Sequence, residues 1–130
     1  MSAPNMRKRI RDIRQRGGKV VVVDPCLTET AINADWHIRV KPGGDAALLF
    51  GMINLLVKNK SVDFESLEQQ AKGFETIIPL LQAFDLDRAA ELSGVSAAEI
   101  ERLALAFENA SSAACYTRVG VCLNENSTLA

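Results

Sequence analysis

Apolar positions along the 130-residue chain change their period several times, and each change predicts an element. Between residues 5 and 16, Met6, Ile10 and Ile13 fall at i, i+4 and i+7, one stripe of a helix, and Gly17-Gly18 supplies the stop. Lys19-Val20-Val21-Val22-Val23 follows, a continuous β-branched run of the kind that forms a strand covered on both faces in a parallel sheet. Asp24-Pro25 ends it, because proline removes a donor and disfavours helical geometry in the residue before it. Residues 28–34 fit a short helix. Trp36, Ile38 and Val40 then alternate with His37, Arg39 and Lys41, the period of a second strand, and Pro42-Gly43-Gly44 makes a turn.

The second half reads mainly as helix. Asp45 opens a strong one whose apolar face is Leu48, Leu49, Met52, Ile53 and Leu56. Asp63 begins another that carries Leu67, Ala71 and Phe74, and Pro79 interrupts the apolar stretch 77–81. A short helix over 86–93 stops at Gly94. Ser96-Ala97-Ala98-Glu99 is a capping box, and the helix it starts is predicted to bury Ile100, Leu103, Ala104 and Phe107. Residues 113–119 look like a third strand. Strands alternating with helices predict an α/β fold, an open, mainly parallel sheet flanked by helices. With three strands visible and no closing element the sheet is expected to be incomplete, and its edge to be inclined towards pairing with another chain.

A chain of this length makes one domain, and a formal net charge of -1 argues against a dedicated nucleic-acid binder. No apolar run approaches a membrane span, and the basic stretch 6–16 is followed by too short an apolar region for a secretory signal. Cys26, Cys115 and Cys122 lack CxxC spacing, so neither a disulfide framework nor a zinc site is expected, and a reducing, cytoplasmic setting is the simplest one. Cys115 and Cys122 read as buried packing residues, Trp36 as core, and His37 as a surface or turn-facing residue. Arg7, Lys8, Arg9, Arg11, Arg14 and Arg16 make a basic helix, but Asp12 interrupts it and no aromatics interleave. A solvated face, or one packed on further parts of a parent protein, accounts for it.

Ligands of open α/β sheets collect at the carboxyl ends of strands. Two places qualify: residues 24–28, directly after the valine run, and Gly43-Gly44-Asp45, between the second strand and the long helix. Glycine lets a ligand approach the backbone, and a carboxylate can accept paired hydrogen bonds from a base edge such as that of guanine. Each place also has a plainer explanation. Asp45 is a good N-cap residue, and Asp24 before Pro25 serves equally well as a turn residue. Neither standard phosphate-cradling loop occurs.

Lys19-Val20-Val21-Val22-Val23-Asp24-Pro25-Cys26-Leu27-Thr28-Glu29-Thr30-Ala31, then Ala34-Asp35, then Lys41-Pro42-Gly43-Gly44-Asp45, resembles one continuous signature. It is similar to the VVVDPRxTxTAxxAD…PGTDxAL pattern of the dimethyl sulfoxide reductase superfamily of molybdopterin oxidoreductases, which includes formate dehydrogenases and nitrate reductases. Residues 1–16, 94–107 and 120–130 resemble flanking parts of the same region. The resemblance implies a Rossmann-like domain holding the guanine end of a molybdopterin guanine dinucleotide. It implies cofactor contacts from Asp24, Pro25, Cys26, Leu27 and Thr28 and from Gly43, Gly44 and Asp45, with Asp45 on the guanine. Cys26 stands where the family often has arginine and Gly44 where it has threonine, so the implied site lacks one charge and one hydroxyl and keeps its carboxylate.

The family's metal-ligating side chain, iron–sulfur cysteines and GxNP-type loop have no counterpart in this sequence. The resemblance therefore implies an internal piece of a larger enzyme, with molybdenum or tungsten and an iron–sulfur cluster belonging to the parent. On its own the chain is expected to carry no cofactor and turn over no substrate. Its partners would be the remaining domains of the parent, with neither nucleic acid nor membrane contacted by this segment. A free-standing nucleotide-binding regulatory module is the alternative, and a nucleic-acid binder using the arginine helix a weaker third. The parent's substrate is not readable.

Overall fold

A computed structural model describes residues 5–117 and residue 121. The chain divides into two compact units, Met1–Val40 and Lys41–Ala130. It is a mixed α/β chain, mostly helical, with one small parallel sheet.

In the first unit, helix α1 (Met6–Gln15) buries Ile10 from its apolar stripe and ends at Arg16, with Gly17 taking the left-handed conformation at φ 80°. Glycine adopts that geometry without steric cost. Strand β1 (Val21–Val23) runs to helix α2 (Glu29–Ile32) and back to strand β2 (Trp36–Ile38). The strands pair in parallel, Val21 with Trp36, Val22 with His37 and Val23 with Ile38, so the segment is a short βαβ unit. The expectation that the valine run is covered on both faces is corrected. Val21 and Val22 are half-buried, and Val23 is 38% exposed. Its sole strand neighbour among the described residues is β2, and a four-residue helix is too short to roof both strands. Ala31, Ile38 and Val40 are the buried members instead, and Trp36 is half-buried rather than core.

The second unit is helical. Helix α3 (Asp45–Lys58) packs on α6 (Leu86–Ser93) and α7 (Ala97–Glu108), with Ile100, Val95 and Ser93 fully buried. The predicted face of α3 is corrected. Its buried residues are Ala46, Leu48, Gly51 and Asn54, whereas Leu49, Met52 and Leu56 are half-buried and Ile53 is 43% exposed. Close approach decides this. A Cβ at Gly51 would lie 2.7 Å from the Ala89 Cβ and 3.3 Å from an Ile100 methyl, so the small residue sits where α6 and α7 come nearest. Asn54 donates from Nδ2 to the Phe84 carbonyl, while its buried Oδ1 has no partner among the described residues.

Residues 63–84 depart most from expectation. Asp63 caps α4 (Phe64–Gln70), but the helix ends before Phe74, and Gly73 at φ 82° turns the chain into a 3-10 turn (Phe74–Thr76). Pro79 breaks nothing, because it stands in the first turn of α5 (Ile78–Ala83), where its missing N–H has no partner to lose. The boundaries of α6 and its stop at Gly94 (φ 72°) match the sequence reading, and Asp85 caps its start. In α7, Ile100, Leu103 and Ala104 are buried as expected, but Phe107 is 38% exposed. The Ser96 hydroxyl accepts from the Glu99 N–H at 3.3 Å and donates to the Glu99 carboxylate, a variant of the reciprocal box. No strand forms over 113–117, and Cys115 is exposed rather than packed. Residues 118–119, Cys122 and nearly all of the 120–130 segment lie outside the described residues.

Candidate functional site

The two candidate segments lie one in each unit, residues 24–28 in the first and 43–45 in the second. Residues 24–28 follow the carboxyl end of β1, where a βαβ unit presents its backbone. Asp24 and Thr28 are half-buried, while Pro25, Cys26 and Leu27 are exposed.

Local hydrogen bonds give this loop one shape. The Asp24 Oδ1 accepts from the Cys26 N–H at 2.8 Å, an Asx turn that folds the chain over Pro25. The Thr28 N–H donates to the Cys26 carbonyl at 2.9 Å. The Thr28 Oγ1 accepts from the Ala31 N–H at 3.2 Å and caps α2, and its O–H has no acceptor among the described residues. The Asp24 N–H pairs with the Ile38 carbonyl, extending the ladder by one bond. One positioning residue escapes sequence reading. His37 Nε2 lies 2.9 Å from the Asp24 carbonyl oxygen, so that nitrogen carries a proton and ties the loop to the neighbouring strand. The alternation of β2 places His37 on the polar side, but only the parallel register with Val22 brings it to the end of β1.

The second segment is braced from below. The Gly44 N–H donates to the Lys41 carbonyl at 2.9 Å, and the Lys41 N–H donates to the Ser93 carbonyl at 2.7 Å. The Lys41 Nζ donates to the Glu91 carbonyl at 3.0 Å. Gly43 turns the chain at φ 81°, and Gly44 is buried against the end of α6. A Cβ at Gly44 would stand 2.8 Å from the Ser93 Cα and 2.9 Å from its carbonyl oxygen, so the glycine is required by contact.

Asp45 is resolved in favour of neither plain capping nor a buried ion pair. Gly44 occupies the N-cap position and Asp45 the first helical position, with no side-chain cap bond. Its half-buried carboxylate has no hydrogen-bond or ion-pair partner among the described residues. A carboxylate in the first helical turn is favoured by the helix dipole, and both its oxygens remain available to a donor pair.

No group of three or more His, Cys, Asp or Glu side chains that could hold a metal ion occurs among the described residues. No helix among them is long and apolar enough to cross a membrane.

No family model matches the chain. Curated relatives do. Acetylene hydratase of Syntrophotalea acetylenica is 36% identical over 113 residues, 87% of this chain and 16% of the relative. The F420-dependent formate dehydrogenase subunit alpha of Methanocaldococcus jannaschii is 30% identical over 118 residues, covering 91% of the chain and 18% of the relative. Formate dehydrogenase H of Escherichia coli is 31% identical over 120 residues, 92% of the chain and 17% of the relative. Among solved structures, acetylene hydratase from Pelobacter acetylenicus superposes on 94% of the chain with a TM-score of 0.84 at 34% identity, using 17% of its own length. The chain thus spans about one sixth of the length of the relatives it matches. Matching nearly end to end one part of each of these enzymes, it belongs to the molybdopterin oxidoreductases of the dimethyl sulfoxide reductase superfamily.

Proposed function

We propose that the chain is the nucleotide-anchoring segment of a molybdopterin-dependent oxidoreductase, part of a Rossmann-like domain that holds the guanine end of a molybdopterin guanine dinucleotide. The observation that carries this reading is the Asp45 carboxylate, half-buried at the start of α3 and engaged in neither cap nor ion pair. Guanine presents an N–H and an amino group side by side, and a carboxylate is the acceptor whose two oxygens match that edge. Gly43 turns the chain at φ 81° just before Asp45, and Gly44 seats that turn against the end of α6. The loop of Asp24, Pro25, Cys26, Leu27 and Thr28, braced by local hydrogen bonds, offers backbone and hydroxyl contacts. The acceptors and backbone groups of these two segments suit a nucleotide.

When bound, the cofactor supplies the redox chemistry at molybdenum or tungsten, while this chain binds and orients its nucleotide end. The parent's other domains would hold the metal's remaining ligand and an iron–sulfur cluster, and a cytoplasmic setting accords with free cysteines at Cys26 and Cys115. The chain alone retains no cofactor and is inactive, and its short sheet has edges available for self-association. Titration with GDP, followed by the amide resonances of residues 43–46, tests the anchoring. Weak saturable binding is expected, and Asp45→Asn reduces it at least about tenfold by replacing an acceptor oxygen with a donor. Binding that is unchanged in Asp45→Asn, or no saturable response at millimolar GDP, sinks the guanine assignment.

A further inference from the structure

The first unit contains a groove that the nucleotide-anchoring reading does not use. It is open, about 850 Å³ in volume, and runs between α1 and the loops that precede β1 and β2. It therefore lies at the amino ends of the strands, whereas residues 24–28 follow the carboxyl end of β1. Its charged lining consists of Arg7, Arg11, Arg14, Lys19, Glu29 and Asp35.

The cations are unequally matched. Arg7 pairs with Glu29, and the Arg14 Nε lies 2.8 Å from the Asp35 Oδ1. The second Asp35 oxygen accepts from the Val20 N–H at 2.9 Å, so both lining carboxylates are engaged. Arg11 and Lys19 have no anionic partner among the described residues. The wall between them is the bare backbone of Gly17 and Gly18. A Cβ at Gly17 would meet nothing within 4 Å, so the wall opens onto free space. Ile10, only 5% exposed, forms the floor and fixes the face of α1 that carries the arginines.

We infer that this groove binds a phosphate-bearing anion between Arg11 and Lys19. The two unmatched cations give the lining an excess of two positive charges, which a phosphate group neutralises and a single carboxylate does not. A guanidinium donates two parallel hydrogen bonds to phosphate oxygens, and an ammonium beside it acts as a compact point charge. The Arg14–Asp35 pair and the Arg14 contact with the Asn33 carbonyl hold the neighbouring wall in place.

The test is a titration of the full chain with inorganic pyrophosphate at constant ionic strength, following the amides of Gly17, Gly18 and Lys19. A parallel arm uses GDP and distinguishes a free anion from a nucleotide's phosphates as the source. Saturable shifts are expected, weakened about tenfold or more in the Arg11→Gln/Lys19→Gln double variant, as for loss of charged hydrogen bonds. The charge-matched control Lys8→Gln/Arg16→Gln removes cations outside the groove and retains binding. The replaced side chains make no hydrogen bond or ion pair among the described residues, and circular dichroism checks that both variants stay folded. Shifts that never saturate, that sodium chloride reproduces, or that fall equally in both double variants reduce the effect to general screening and overturn the assignment. Asp45→Asn leaves these shifts intact, so failure here and failure of the guanine site are separable.

Discussion

At Gly44 the space available to one methyl group settles a question of identity. The signature that this chain resembles has threonine there, and any Cβ at that position meets the Ser93 backbone at 2.8 Å, closer than real Cβ atoms approach. Backbone cannot rotate aside as a flexible side chain can, so the turn or the end of α6 must shift. Gly44→Thr, although a change towards the family pattern, is therefore expected to lower stability by about 1–3 kcal/mol, the usual cost of overpacking. Thermal melts of the two proteins decide the point. A threonine variant as stable as the parent means that the turn moves off Ser93 freely. The same scale explains what the sequence conceals about the site. The turns at Asp24 and Gly43 are legible because their chemistry is local. His37 on the Asp24 carbonyl and Ser93 beneath Lys41 are not, since each contact exists only after distant residues have been brought together.

Helices show where local signals suffice. Ser96 accepts the predicted bond from the N3 amide of α7, and Asp63 and Asp85 accept the same type of bond at the starts of α4 and α6. Gly94 ends α6 as read, because a left-handed residue is a property of one position. The buried face of α3 was not readable by hydrophobicity alone, since Gly51 and Asn54 face inward for reasons supplied by Ala89 and Phe84. Element ends also carry the pH dependence. Hydrogen bonds from the Ser66 side chain and backbone hold the Asp63 carboxyl below its ordinary value. Those from Ser61 and Asn59 do the same for Glu108, linking the C-terminal ends of α3 and α7. A carboxyl with a depressed folded pKa stabilises fully above its unfolded pKa and loses that contribution as pH falls through the folded value. Denaturation of the parent and Glu108→Gln is therefore expected to show a small deficit in the variant at neutral pH that closes in acid below the ordinary carboxylate range. A deficit independent of pH assigns the effect to packing.

For the whole molecule, the unequal substance of the two units sets what should open first. The second unit has Val95, Ile100 and Ala104 at 1% exposure or less, among helices packed at small-residue contacts. Beside helix α1, the first has only two three-residue strands and a four-residue helix. Parallel pairing is the weaker ladder, and an isolated strand pair is marginal in water. The valine run has the composition of a strand buried on both faces, yet Val23, Leu27 and Ile32 stay exposed at 38%, 54% and 66%. Such composition suits a strand with covering neighbours, and the relatives are about six times the length of the match. Native-state hydrogen exchange is accordingly expected to find the amides of residues 21–24 exchanging well before those of 100–104, with no common opening step. Equal protection across both sets means that the short sheet is stabilised as strongly as the helical core, and the need for covering neighbours disappears.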